Sequence, residues 1–142
     1  MTPSLDPGTI LPGVTRASII ELAKNELGCT VIESSQVRLS DLNDATEAFC
    51  CGTGASITPV GSINVANLFI DDDDNDDDDN DDGSQEKDKE EEEDDFVAIQ
   101  FGDGTTPGPL TQRLYKMLLD LQTGVDETLN EKYSDWIHIV EP

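Results

Sequence analysis

Basic side chains are scarce in this chain. Eight Lys and Arg stand against 32 Asp and Glu, giving a formal net charge of −24 over 142 residues. Nucleic-acid binding draws on clustered Lys and Arg to neutralise phosphates, and the sequence holds no such cluster. Long apolar runs are missing too. A membrane-spanning helix takes roughly 20 apolar residues, and no stretch approaches that length. The first residues have neither the basic and apolar regions of a secretion signal nor the Arg-rich amphipathic character of a transit peptide. There is one histidine, His138. With no second ligand or nucleophile accompanying it, it reads as an ordinary strand residue. Three cysteines, Cys29, Cys50 and Cys51, make no disulfide framework. A bridge between the adjacent Cys50 and Cys51 would be strained, so all three read as reduced thiols of an intracellular protein.

Acid is what the chain has in excess, and most of it is local. Residues 71–95 hold 18 Asp and Glu against two Lys, a net of −16, which leaves −8 for the rest. The tract has no apolar residue with which to offset the entropy of ordering, so it is expected to be a disordered insert. Within it, Asp78, Asn80, Asp82 and Gly83 match positions 1, 3, 5 and 6 of a calcium-binding EF-hand loop. The bidentate glutamate that position 12 requires is replaced by Lys89, and Glu90 comes one residue too late. Diffuse counter-ion binding is expected there, and no specific metal site.

Either side of the tract the pattern is mixed. Ile19, Ile20, Ala23 and Leu27 recur at helical spacing over residues 16–27, and Gly28 supplies a stop. Cys29 to Val37 reads as a strand. Ser40 reads as the cap of a short helix reaching about Phe49. Phe49-Cys50-Cys51 reads as a short buried strand entering Gly52-Thr53-Gly54. Residues 57–69 read as extended, with Pro59 marking an edge or a strand start. Phe96 to Phe101 is strand-like, and Gly102-Asp103-Gly104 is a turn. Pro107-Gly108-Pro109 opens a helix carried by Leu110, Leu114, Met117, Leu118 and Leu121 and ended by Gly124. Trp136 to Val140 reads as a terminal strand. The expected class is α/β or mixed α+β, in three segments: 1–70, the acidic insert 71–95, and 96–142.

One stretch carries a chemical signal. In Ile10-Leu11-Pro12-Gly13-Val14-Thr15-Arg16, Pro12 fixes a φ angle and Gly13 permits a sharp turn or close approach of a ligand. Thr15 reads as the N-cap of the helix that follows. A helix N-terminus presents free N–H groups and partial positive charge, a natural seat for phosphate. Alone, that pattern is a weak anion-site signal, since most such stretches are plain helix starts.

Resemblance adds to it. Leu5-Asp6 with Gly8-Thr9-Ile10-Leu11-Pro12-Gly13-Val14-Thr15-Arg16 resembles a signature of the branched-chain amino acid aminotransferases, pyridoxal-phosphate enzymes of fold type IV. Glu47-Ala48-Phe49, Gly52-Thr53-Gly54-Ala55 and Thr58-Pro59-Val60 resemble a second block. Gly108-Pro109-Leu110-Thr111, Gln122-Thr123-Gly124 and Trp136 resemble a third, and the blocks occur in the family's order. The resemblance implies part of the larger, cofactor-binding domain of such an enzyme. It implies transfer of the amino group of leucine, isoleucine or valine to 2-oxoglutarate through pyridoxal 5'-phosphate, with branched-chain amino acids and 2-oxo acids as partners and a homodimer as the full-length form. The cofactor site would comprise Leu11 against the ring, Gly13, and the N–H groups of Val14 and Thr15 with the Thr15 and Thr53 hydroxyls around the phosphate. Gly52, Thr53 and Gly54 would hold the substrate α-carboxylate.

Departures from the family accompany the match. Gly54 stands where the family usually has Ala. Ala55 and Thr58 occupy the positions of a redox Cys-x-x-Cys found in some relatives. The family's Schiff-base lysine lies upstream of the phosphate loop, and none of Lys24, Lys87, Lys89, Lys116 and Lys132 takes its place. No catalytic residue is therefore assigned. The chain is expected to be a truncated portion, inactive alone. Other fold type IV enzymes, such as D-amino acid aminotransferases or aminodeoxychorismate lyases, share the loop and the Gly-Thr turn. A non-catalytic acidic binding protein and a degenerate remnant without activity are the remaining alternatives.

Overall fold

The computed structural model describes residues 1–66 and 96–136. The acidic tract 71–95, the partial EF-hand pattern within it, and His138 lie outside the described residues.

Short strands dominate by number and helices by burial. Strand β1 (Thr2–Pro3) pairs in parallel with β2 (Glu33–Ser34), and helix α1 (Val14–Asn25) lies between them in sequence. Strands β3 (Ala48–Gly52) and β4 (Ser56–Val60) form an antiparallel hairpin, with Phe49 opposite Pro59 and Gly52 opposite Ser56. Strands β5 (Ser62–Ala66) and β6 (Phe96–Gln100) form a second antiparallel pair, with Ala66 opposite Phe96. Helices α2 (Pro109–Thr123) and α3 (Glu127–Lys132) follow. The class is mixed α and β. Among the described residues the strands make three separate two-stranded sheets rather than one continuous mixed sheet.

The core joins the segments on either side of the acidic tract. Ile19, Leu22 and Ala23 of α1 pack with Ile57 of β4, with Leu114, Leu118 and Leu121 of α2, and with Leu129 and Tyr133. Leu22 is fully buried, although the spacing argument had singled out Ile20 in its place, and Ile20 is only half-buried. In α2 the helical period holds, and the buried stripe also takes in Thr111.

Several local expectations are corrected. α1 begins at Val14 with Gly13 as N-cap, so Thr15 lies inside the first turn and is not the cap. Gly13 takes an extended conformation and its carbonyl accepts the Ala17 N–H at 3.1 Å, which starts the helix two residues earlier than a Thr15 cap would. At the other end, Gly28 sits at φ +62° and the Cys29 N–H reaches back to the Ala23 carbonyl. The strand expected over Cys29 to Val37 shrinks to Glu33–Ser34, because β1 offers two residues to pair with. The short helix is a 3₁₀ turn, Leu39–Leu42, and its cap is Arg38 rather than Ser40: the Asp41 carboxylate accepts the Arg38 N–H at 2.8 Å. Cys50 and Cys51 are exposed in β3, not buried; among the described residues β3 pairs only with β4. Trp136 closes a 3₁₀ turn, Ser134–Trp136, with its ring 4.5 Å from that of Tyr133 between centroids. The rest of the strand or extended segment expected over Trp136 to Val140 lies outside the described residues. Helix α3 was not anticipated. Its signal was Asp126, whose carboxylate accepts the N–H groups of Thr128 and Leu129 at 3.1 and 3.0 Å.

Gly61 links β4 to β5 and crosses the turn after β6. A Cβ at Gly61 would lie 2.1 Å from the Gly104 carbonyl oxygen. The clash is with backbone, so it cannot be relieved by a rotamer change. Gly61→Ala is expected to lower stability by about 1–3 kcal/mol, the usual cost of forcing an extra carbon into packed structure. The readout is a lower urea midpoint at unchanged m-value.

Candidate functional site

Helix α1 presents an open N-terminus. The N–H groups of Val14, Thr15 and Arg16 precede the first intrahelical bond, as at any helix start. Gly13 provides no side-chain cap, and the first turn holds no acidic residue. In most helices a Ser, Thr, Asp or Asn fills this role. Here the donors and the partial positive charge stay available to an anion.

A cavity of about 580 Å³ opens beside this turn. Pro12, Gly13, Val14 and Thr15 form one wall, and Leu118, Leu121, Gln122 and Trp136 form the facing one. The volume lies in the roughly 300–1,000 Å³ range of small-molecule and cofactor sites. Leu11 and Val14 are 85% and 82% exposed, so both are free to lie against a ligand. Glu21, two turns along α1, also lines the cavity. The loop of the first sequence block thus faces Gln122 and Trp136 of the third across one space.

Thr53 and Gly54 stand in the tight turn between β3 and β4, and Gly52 is the last residue of β3. The turn ends in Ser56 at φ +50°, a conformation that few non-glycine residues adopt. The turn does not line the 580 Å³ cavity. It begins two residues after Cys51, which lines a second cavity of about 150 Å³ together with Arg16. The Leu11–Thr15 loop and the Gly52–Gly54 turn thus share neither cavity; only Arg16 and Cys51, beside them in sequence, line the smaller one together.

The spacing of the second and third blocks also acquires a physical meaning. The Glu47 carboxylate accepts from the Leu110 N–H at 3.1 Å, the Thr111 N–H at 2.9 Å and the Thr111 hydroxyl at 2.7 Å. It is the cap of α2, supplied from 63 residues upstream. A Cβ at Gly108 would fall 2.1 Å from Glu47 Oε2, so the carboxylate occupies the space that glycine leaves. Burial works to raise the Glu47 pKa, and the bonds from Thr111 and Leu110 outweigh it, holding the carboxyl below its ordinary range. Glu47 had been noted as part of a motif without a role. Its partners are too distant in sequence for local spacing to reveal.

Arg16 was likewise quoted without a role. Its guanidinium donates through Nη2 to the Pro3 carbonyl and to Glu33, both at 2.7 Å. The Arg16 hydrogen bond holds the Glu33 carboxyl below its ordinary pKa.

Pyridoxal 5'-phosphate can be tested against these residues. Gly13, Gly52 and Gly54 all have negative φ, and nothing lies within 4 Å of where their Cβ atoms would stand. Neither the backbone nor neighbours in the described residues demand glycine there, which leaves open space for a ligand. With the uncapped turn of α1, the donor set suits a phosphate and a carboxylate. No lysine lines the cavity. Lys116 pairs with Asp120 and Lys132 with Glu26, and Lys24 lies in the last turn of α1, away from Thr15. Among the described residues no cluster of metal-binding side chains occurs, and no helix is long and apolar enough to cross a membrane.

Known proteins resemble this chain in part. Residues 1–63 match the model for amino-transferase class IV. The match covers this segment, less than half of the chain. Similarity to individual proteins extends beyond it. The chain is 52% identical over 62 residues to branched-chain amino acid aminotransferase 2, chloroplastic, of Humulus lupulus, covering 44% of this chain and 14% of that protein. It is 32% identical over 120 residues to branched-chain-amino-acid aminotransferase 3, chloroplastic, of Arabidopsis thaliana, covering 84% of this chain and 21% of the relative. It is 35% identical over 116 residues to the branched-chain-amino-acid aminotransferase of Haemophilus influenzae, covering 82% and 25%. The chain thus spans a quarter or less of the length of these relatives. The phosphate loop and the Gly-Thr turn both fall inside the class IV segment, and Glu47 does as well.

Proposed function

We propose that this chain forms part of the pyridoxal 5'-phosphate site of a branched-chain amino acid transaminase, which moves the amino group of leucine, isoleucine or valine to 2-oxoglutarate. The observation that carries the reading is the uncapped first turn of α1, located at the Leu-Pro-Gly-Val-Thr-Arg stretch of a class IV segment. Residues 1–70 and 96–142 would belong to the larger cofactor-binding domain, with 71–95 an insert. The setting is intracellular, in keeping with three free cysteines, and the assembled enzyme is a homodimer.

When bound, pyridoxal phosphate supplies the electron sink through which the amino group is exchanged. The residues of this chain bind and orient. The Val14 and Thr15 N–H groups and the Thr15 and Thr53 hydroxyls hold the phosphate. Leu11 and Val14 cover an apolar face and keep water from it. Gly52, Thr53 and Gly54 present backbone donors to the substrate carboxylate, and the missing Cβ atoms allow its approach. The lysine that moves the proton is not assigned to this chain.

The experiment is a fluorescence titration of the chain with pyridoxal phosphate. Thr53→Val should weaken binding by roughly 1–3 kcal/mol, because a phosphate oxygen loses its partner. Unchanged affinity would remove Thr53 from the cup.

A further inference from the structure

We propose that Arg16 is a positioning residue of the phosphate cup, fixing the first turn of α1 against the β1–β2 pair; this rests on the cup reading above. Four observations meet at this side chain. It directly follows Thr15 in the open first turn of α1. Its guanidinium is bound to the Pro3 carbonyl and to Glu33, which ties that turn to the β1–β2 pair. Pro3 and Arg16 bracket the whole loop of residues 4–15, so the contact closes the loop at its base. Finally, Arg16 lines the 150 Å³ cavity with Cys51, two residues before Thr53.

The side chain is 14% exposed, against 39% for Glu33. Its Nε–H is buried without a partner among the described residues. An ion pair formed only for surface stability is normally solvated and weak. This one is largely covered and bonds both strands of the β1–β2 pair, at Pro3 and Glu33. Its charge is already matched by Glu33, so it acts by geometry rather than by attracting the phosphate from a distance. A small displacement of the first turn would move the Val14 and Thr15 donors away from the anion they are to hold.

The test compares two probes on the full chain, pyridoxal 5'-phosphate and pyridoxal, which differ only in the phosphate. The wild-type chain should prefer the phosphorylated form. Arg16→Gln should reduce that preference by about tenfold, the scale of one charge-assisted hydrogen bond. Arg16→Lys keeps the charge but cannot bridge Pro3 and Glu33 in the same way, and should not restore the preference. Glu33→Gln leaves Arg16 and its bond to Pro3 in place and should give a smaller loss, which provides a reading should Arg16→Gln not fold. Melting temperatures are recorded for every variant. A variant that melts earlier yet keeps the wild-type preference below its transition would make Arg16 merely structural and overturn the proposal. Full rescue by Arg16→Lys would assign the effect to charge and overturn it as well. A wild-type chain with no preference between the probes would instead overturn the cup reading itself, and this inference with it.

Discussion

Leu114→Ala should destabilise the chain by about 2–5 kcal/mol, the range for deleting a fully enclosed leucine. Leu114 is 1% exposed and stands at the centre of α2. It packs in the cluster that joins α1, β4 and α2, three elements drawn from both sides of the acidic tract. It also borders the 150 Å³ cavity, so truncation would enlarge an existing space rather than open a new one. Walls that already border a space have fewer atoms free to collapse inward, which puts the cost toward the upper end. Chemical denaturation followed by far-UV circular dichroism measures it. A loss below about 1 kcal/mol would mean that this core is not the one that holds the fold.

Glu47→Ala should cost roughly 3 kcal/mol near neutral pH, because three bonds to a carboxylate disappear and leave partly buried donors unpaired. The donors are the N–H groups of Leu110 and Thr111 and the hydroxyl of Thr111, which is 2% exposed as a residue. Water cannot easily replace the lost acceptor there. The pH dependence follows from the direction of the shift. The folded-state pKa of Glu47 is depressed, so the unfolded chain takes up the proton first as pH falls. Its contribution is complete above the ordinary carboxylate pKa and is lost as pH drops through the lower folded-state value. Glu47→Gln should flatten this acid limb while retaining one acceptor oxygen. Stability profiles of wild type and Glu47→Gln that run parallel from neutral to acidic pH would contradict the role. Gly108 belongs to the same unit, because a side chain there would displace the carboxylate.

The sequence by itself determined that α1 and α2 are helices. The apolar period of α2 runs over four turns between Pro109 and Gly124, and local physics suffices for that: proline opens, glycine at φ +72° closes, and leucines every three or four residues mark one face. The turns at Pro12-Gly13 and Gly52-Thr53-Gly54 were legible for a similar reason, since their residue types have short-range meaning; their binding role is the proposal made above. Strand extents were less legible. A strand's length depends on its partner, and β2 is two residues long because β1 is. The start of α1 was misplaced because a threonine near a helix start resembles a cap, and only the Gly13 carbonyl accepting the Ala17 N–H shows where the helix begins. Only the tertiary structure could assign Glu47 and Arg16. Glu47 reaches its partners across 63 residues, and Arg16 reaches Pro3 and Glu33 across 13 and 17. Such contacts exist only after the chain has folded back on itself, and no period or spacing in the sequence encodes them.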